Sequence, residues 1–153
     1  MSKQEIYAWT SLGFTVAIFG YYLISAFGLP TGIENYSEHI TNLIWKVIGI
    51  TVLIELILEL SNSAKIGGVQ QDERDILITS KGLRNAYYFL MVSIITLVVH
   101  ILINDYFSQA TGERLFLAKP YVIFHVLVFI LFIANITKSA TQIFYYQWGS
   151  YNA

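Results

Sequence analysis

Four stretches of this chain hold very little charge: about Ile6 to Phe27, Ile40 to Leu60, Leu83 to Ile103 and Tyr121 to Thr137. Each is long enough to cross a hydrocarbon core of about 30 Å, which takes roughly 20 helical residues. Lipid offers no water to the backbone, so a spanning apolar run closes its own hydrogen bonds as a helix. The whole 153-residue chain is 56% apolar and 12% charged, against roughly 25% charged residues in a globular domain. A domain near this size leaves roughly 30% of its unfolded surface in solvent, and there is too little polar surface here to cover it. The surplus faces lipid. That excludes a disordered chain, a nucleic-acid binder built on net charge and a soluble enzyme. A net charge of −1 selects no partner. The absence of cysteine excludes disulfides, thiol redox chemistry and thiolate metal sites.

The first run is too long for the apolar part of a secretory signal, roughly 7–15 residues, and Lys3 is balanced by Glu5, so it reads as a retained helix. The other charges set orientation. Lys3, Lys65, Arg74, Lys81, Arg84 and Lys138 fall on one side of the four spans, and only Arg114 and Lys119 on the other, with Glu34 and Glu38 in the first outer loop. Lys and Arg favour the cytoplasmic side, which places both termini there. Tyr7, Trp9, Tyr87, Tyr88, Tyr106, Tyr121, Tyr145, Tyr146 and Trp148 flank the spans, as aromatic anchors at the headgroup level do. The expected architecture is an all-α membrane protein, an antiparallel four-helix bundle forming one integral membrane domain over residues 1–153. No internal repeat divides it.

Polar residues inside the spans are the candidate functional groups. At about 100° per residue, Ser93, Thr96, His100 and Asn104 form one stripe on the third helix, and Tyr121, His125, Asn135 and Ser139 form one on the fourth. His39, Asn42, Lys46 and Gly49 line the outer half of the second. The first offers a small-residue face, Gly13, Ala17 and Gly20, suited to close packing. These stripes are expected to point inward, with His39, His100 and His125 converging in the outer half and Lys46 about one and a half turns inside the second helix. An intramembrane ionisable group is costly and marks a site by default. Three uses compete: a structural hydrogen-bonded network, a pocket for a small polar, anionic or quinone-like ligand at Lys46, His100 and His125, or haem held between His100 and His125 as paired imidazoles. No metal-ligand run of the H-E-x-x-H kind is present, and no resident cofactor is expected. Glu55 and Glu59, four residues apart, lie on nearly the opposite face of the second helix from the Lys46 stripe. Glu59 falls at the interface, which leaves Glu55 as the intramembrane carboxylate and the candidate for proton coupling.

The connection before the third span, Ser61 to Gly82, holds Asp72-Glu73-Arg74-Asp75 followed by Ile76, Ser80, Leu83 and Tyr87 at helical spacing. Asp72 suits an N-cap, and acidic residues suit the start of a helix. Arg74, Lys81 and Arg84 share another face, so the segment reads as a short interfacial amphipathic helix that turns at Gly82 into the third span. Asp72, Glu73, Arg74, Asp75, Lys81 and Arg84 are candidates for docking a cytoplasmic partner, with Gly67-Gly68 as a flexible approach. Ile66-Gly67-Gly68-Val69 lacks the lysine of a phosphate loop.

Asp72-Glu73-Arg74-Asp75, then Arg84-Asn85-Ala86-Tyr87, and the closing Gln142-Ile143-Phe144-Tyr145-Tyr146-Gln147-Trp148-Gly149 together resemble uncharacterised small four-helix bacterial membrane proteins. Those end in a similar Gln-aromatic-Tyr-Tyr pattern followed by two arginines and glycine; Gln147 and Trp148 stand in place of the arginines and remove charge from that tail. The resemblance implies a bacterial inner-membrane location and no biochemical activity. The expected function is non-catalytic: a regulatory, sensing or accessory component whose partners are the bilayer, a cytoplasmic protein and a second copy, with no nucleic acid. A small oligomeric proton-coupled transporter is the alternative, and a haem- or quinone-binding protein the third.

Overall fold

The computed structural model describes residues 3–28, 36–65, 72–112 and 120–149. Expectations that rest on Glu34, Gly67, Gly68, Arg114 and Lys119, or on the side chains of Glu59, Lys65 and Tyr121, lie outside the described residues. Those residues form four helices and no strand: α1 (Lys3–Phe27), α2 (Tyr36–Lys65), α3 (Glu73–Thr111) and α4 (Pro120–Trp148). All four are long and apolar enough to cross a membrane.

Local chemistry fixes the ends of α3. Asp72 has extended backbone (φ −64°, ψ 135°), and its carboxylate accepts from the Arg74 N–H. Its carbonyl accepts from the Asp75 and Ile76 N–H groups at 2.9 and 3.2 Å. The Arg74 and Asp75 N–H groups, which a helix start leaves without an i−4 partner, are thereby satisfied, and the Ile76 bond begins the helix ladder. At the other end Gly112 takes the left-handed conformation (φ 75°) and returns its N–H to the Ser108 carbonyl at 2.9 Å, a cap for which glycine carries no Cβ penalty. Pro120 opens α4, where its missing N–H leaves no bond unmade.

Between these caps α3 is one helix of 39 residues, so the turn expected at Gly82 is absent. Packing explains the glycine. A Cβ there would lie 2.7 Å from Gln142 Cγ and 2.9 Å from the Lys138 carbonyl oxygen. Gly82 therefore lets the α3 backbone close on α4 and does not redirect the chain. At 1.5 Å per residue α3 is about 58 Å long, nearly twice the thickness of a hydrocarbon core. The expected connection from Ser61 to Gly82 is also mostly helix, since α2 runs to Lys65 and α3 starts at Glu73.

Cross-helix contacts give the topology. Tyr146 meets Asp75, and Thr141 meets Asn85, so α3 and α4 are antiparallel. Tyr22 meets His125, Thr15 meets Asn135, and Ser11 lies by Ser139, so α1 and α4 are antiparallel too. Helix α4 is packed between α1 and α3, α1 also packs on α2, and the consecutive helices α2 and α3 scarcely touch. The core sits where α1, α2 and α4 join: Tyr22, Ala26, Ile40, Leu43, Val47, Val128 and Phe132, flanked by Phe19 and Phe129. Phe19 stacks on Phe132 at 5.0 Å and meets Phe129 edge-on at 5.5 Å.

The packing face of α1 differs from the expected one. Gly13 and Ala17 are exposed, and a Cβ at Gly13 or Gly20 would meet nothing within 4 Å. Ala8, Ser11, Thr15, Tyr22 and Ala26 are buried instead. Their spacing of three, four and seven follows a helical seam, and the seam prevails because Tyr22 and Thr15 find partners on α4.

Candidate functional site

Two polar clusters lie along α4, separated by the aromatic layer of Phe19, Phe129 and Phe132. The first joins three helices. Asn135 Nδ2 donates to Glu55 Oε1 of α2 at 2.9 Å and to Thr15 Oγ1 of α1 at 3.2 Å. Thr15 Oγ1 donates to the Ser11 carbonyl one turn earlier at 2.8 Å, and Ser11 Oγ lies 3.5 Å from Ser139 Oγ. Ser11, Thr15 and Ser139 are buried, at 2%, 4% and 0% exposure, while Glu55 and Asn135 are half-buried. Small hydroxyl residues allow α1 and α4 to approach closely, and Asn135 ties α2 to both. Such bonds across membrane helices average about 0.6 kcal/mol and reach about 1.7.

The second cluster lies in the other half of the bundle. Tyr22 of α1 shares a hydrogen bond with His125 Nδ1, and the Phe27 ring lies 5.4 Å from the imidazole. His125 is buried at 7% exposure. On α3, Asn104 is buried and His100 half-buried, with His100 Nε2 enclosed and lacking a hydrogen-bond partner among the described residues. The antiparallel register that sets Gly82 against Gln142 and Asn85 against Thr141 brings His100 to about the level of His125.

The α2 stripe takes the opposite direction from the one expected. His39, Asn42, Lys46 and Gly49 are exposed. The reason is that Ile40, Leu43 and Val47, about 100° around the helix, enter the core against Tyr22 and Phe132. His39 therefore does not join the other histidines, and Lys46 faces away from the bundle, where a long amine extends toward the interface.

At the end of the bundle formed by the start of α3 and the end of α4, the two sequence elements named above pack on each other. Tyr146 donates its hydroxyl proton to Asp75 Oδ1 at 3.1 Å, Lys81 Nζ lies 4.2 Å from the centroid of the Tyr145 ring, and Asn85 Nδ2 donates to Thr141 Oγ1 at 3.3 Å. A cation over an aromatic face is an attractive contact. Asp75 and Lys81 thus pack on α4; the side chains of Asp72, Glu73, Arg74 and Arg84 are exposed, with the Asp72 carboxylate capping α3.

Because α2 and α3 do not close on each other, a cavity of about 490 Å³ remains between them, floored by α4. Val47 and Val52 of α2, Tyr87 and Leu90 of α3, and Phe132 and Lys138 of α4 line it. No three acidic or histidine side chains gather as a metal site among the described residues.

Sequence reading missed Tyr22, Thr15 and Ser11, which carry the contacts of the two clusters, and used Lys138 only as a topology charge. The recurrence of 8, 11, 15, 22 and 26 along α1 was the signal that could have located the first three. No family model, curated protein or solved structure matches the chain, and the likeness of its two end elements to small four-helix membrane proteins rests on those residues alone.

Proposed function

We propose that this multi-pass membrane protein is a non-catalytic regulatory, sensing or accessory component that presents the start of α3 to a cytoplasmic protein. The observation that carries this reading is the bracing of that segment. The α3 helix continues through Gly82, and Asp75, Lys81 and Asn85 are held by Tyr146, Tyr145 and Thr141 of α4. Arg74, Leu77, Lys81 and Arg84 share one helical face within about 80°, with Arg74, Leu77 and Arg84 exposed. A rigid basic face of this kind suits an acidic partner surface, because complementary charge sets register and approach rate. The excess of Lys and Arg at this end supports a cytoplasmic location for it, and the likeness to bacterial inner-membrane proteins supports that membrane.

A photo-crosslinking residue at Glu73, introduced into the full chain in cells, tests the reading. A discrete adduct that disappears in Arg74→Glu together with Arg84→Glu supports it. An adduct pattern unchanged by that reversal, or no adduct, contradicts it.

A second reading, a small oligomeric proton-coupled transporter, is favoured by one observation: a carboxylate, Glu55, is held in the bundle by Asn135. It loses Lys46, which faces outward. Proton-coupled flux into liposomes that is abolished by Glu55→Gln supports transport over docking. Haem between His100 and His125 would show as a Soret band in the purified protein.

A further inference from the structure

We propose that the groove between α2 and α3 holds one acyl chain of an anionic phospholipid, with the lipid phosphate on Lys138. The groove is apolar along its length and polar at one end. Ile48, Val52, Leu83, Tyr87 and Leu131 line it yet keep exposed surface, so it opens sideways onto the layer in which the helices lie. Lys138 lines the same groove and is half-buried, and no described residue pairs with it. Its backbone carbonyl abuts Gly82, where α3 closes on α4. A half-buried ammonium gains from a polar partner, and a phosphate supplies both charge and acceptors.

An apolar wall with one cation at its end matches an amphiphile with an anionic head, and the cavity holds about 490 Å³. It lies within the roughly 300–1,000 Å³ of small-molecule sites, and a slender acyl chain fits its open, elongated wall. Basic pockets between membrane helices are a recognised place for acidic headgroups.

Native mass spectrometry of the full chain released from nanodiscs with equal phosphatidylglycerol and phosphatidylcholine of matched acyl chains tests this. The wild type is expected to retain phosphatidylglycerol over phosphatidylcholine by about fivefold, the ratio that corresponds to one basic residue at a headgroup. Lys138→Met brings the ratio to about one, Lys138→Arg keeps it, and Val52→Trp, which narrows the groove at its exposed rim, lowers retention of both lipids. Equal retention by the wild type, an unchanged preference in Lys138→Met, or undiminished lipid in Val52→Trp overturns the proposal. A lipid-free dimer crosslinked through Val52 and Tyr87 overturns it in favour of a second copy.

Discussion

The two flanks of α4 are built differently. Toward α1, Ser11, Thr15, Tyr22, His125, Asn135 and Ser139 interlock, and the helices close. Toward the gap between α2 and α3 the walls are Val47, Val52, Leu90 and Leu131, and the helices stay apart. In water, burial of those apolar walls would draw them together. In lipid it does not, because an acyl chain is as apolar as leucine, and helices associate through close packing and polar contacts. The closed flank has both, whereas α2 and α3 scarcely touch across the open one.

The largest effect is expected at the shared core. Phe132→Ala removes the ring on which Phe19 and Tyr22 stack and should cost about 3 kcal/mol, the lower end of the range for a buried phenylalanine, because lipid also solvates the separated helices. Reversible unfolding in mixed SDS micelles measures it. Next is Gly82→Leu, which drives a side chain into Gln142 and the Lys138 carbonyl. Overpacking of this kind costs about 1–3 kcal/mol, and loss of the α3–α4 contact should appear as faster proteolysis near Trp148.

The polar tie is smaller. A double-mutant cycle of Asn135→Leu and Glu55→Leu, read by the same unfolding assay, should return a coupling of about 0.6 to 1.7 kcal/mol across the bond seen at 2.9 Å. A coupling near zero would mean that α2 is held by its apolar core alone. The smallest effect is expected at Lys46→Met, within about 0.5 kcal/mol, since Lys46 is exposed and has no part in either flank. A large loss there would return the α2 stripe to the interior.

These contrasts also mark how far the sequence could be read. The four spans and the N-cap at Asp72 were legible because length, hydropathy and capping chemistry act locally. The inward faces were not, because they depend on which neighbour supplies a partner. His39, Asn42 and Lys46 form a clear stripe, yet Ile40, Leu43 and Val47 beside them match the Tyr22 and Phe132 surface better. Gly13, Ala17 and Gly20 look like a packing motif, yet the seam runs through Ser11 and Thr15, whose hydroxyls have Ser139 and Asn135 opposite. Gly82 reads as a turn in one dimension and is a close approach in three. Of the candidate site, Glu55 and Asn135 were visible separately, and only the fold shows that they are bonded.

The chain has no cysteine, so paired substitutions report the flanks without background. Ser11→Cys with Ser139→Cys spans the closed flank, where the two hydroxyls are 3.5 Å apart, within reach of a disulfide. Val52→Cys with Tyr87→Cys spans the open one. Under a membrane-permeant oxidant in native membranes, the first pair should form an intramolecular disulfide and the second should not, while a long bifunctional reagent bridges it. Rapid disulfide formation by the Val52 and Tyr87 pair, or its failure in the Ser11 and Ser139 pair, would contradict the asymmetry between the closed α1–α4 flank and the open groove.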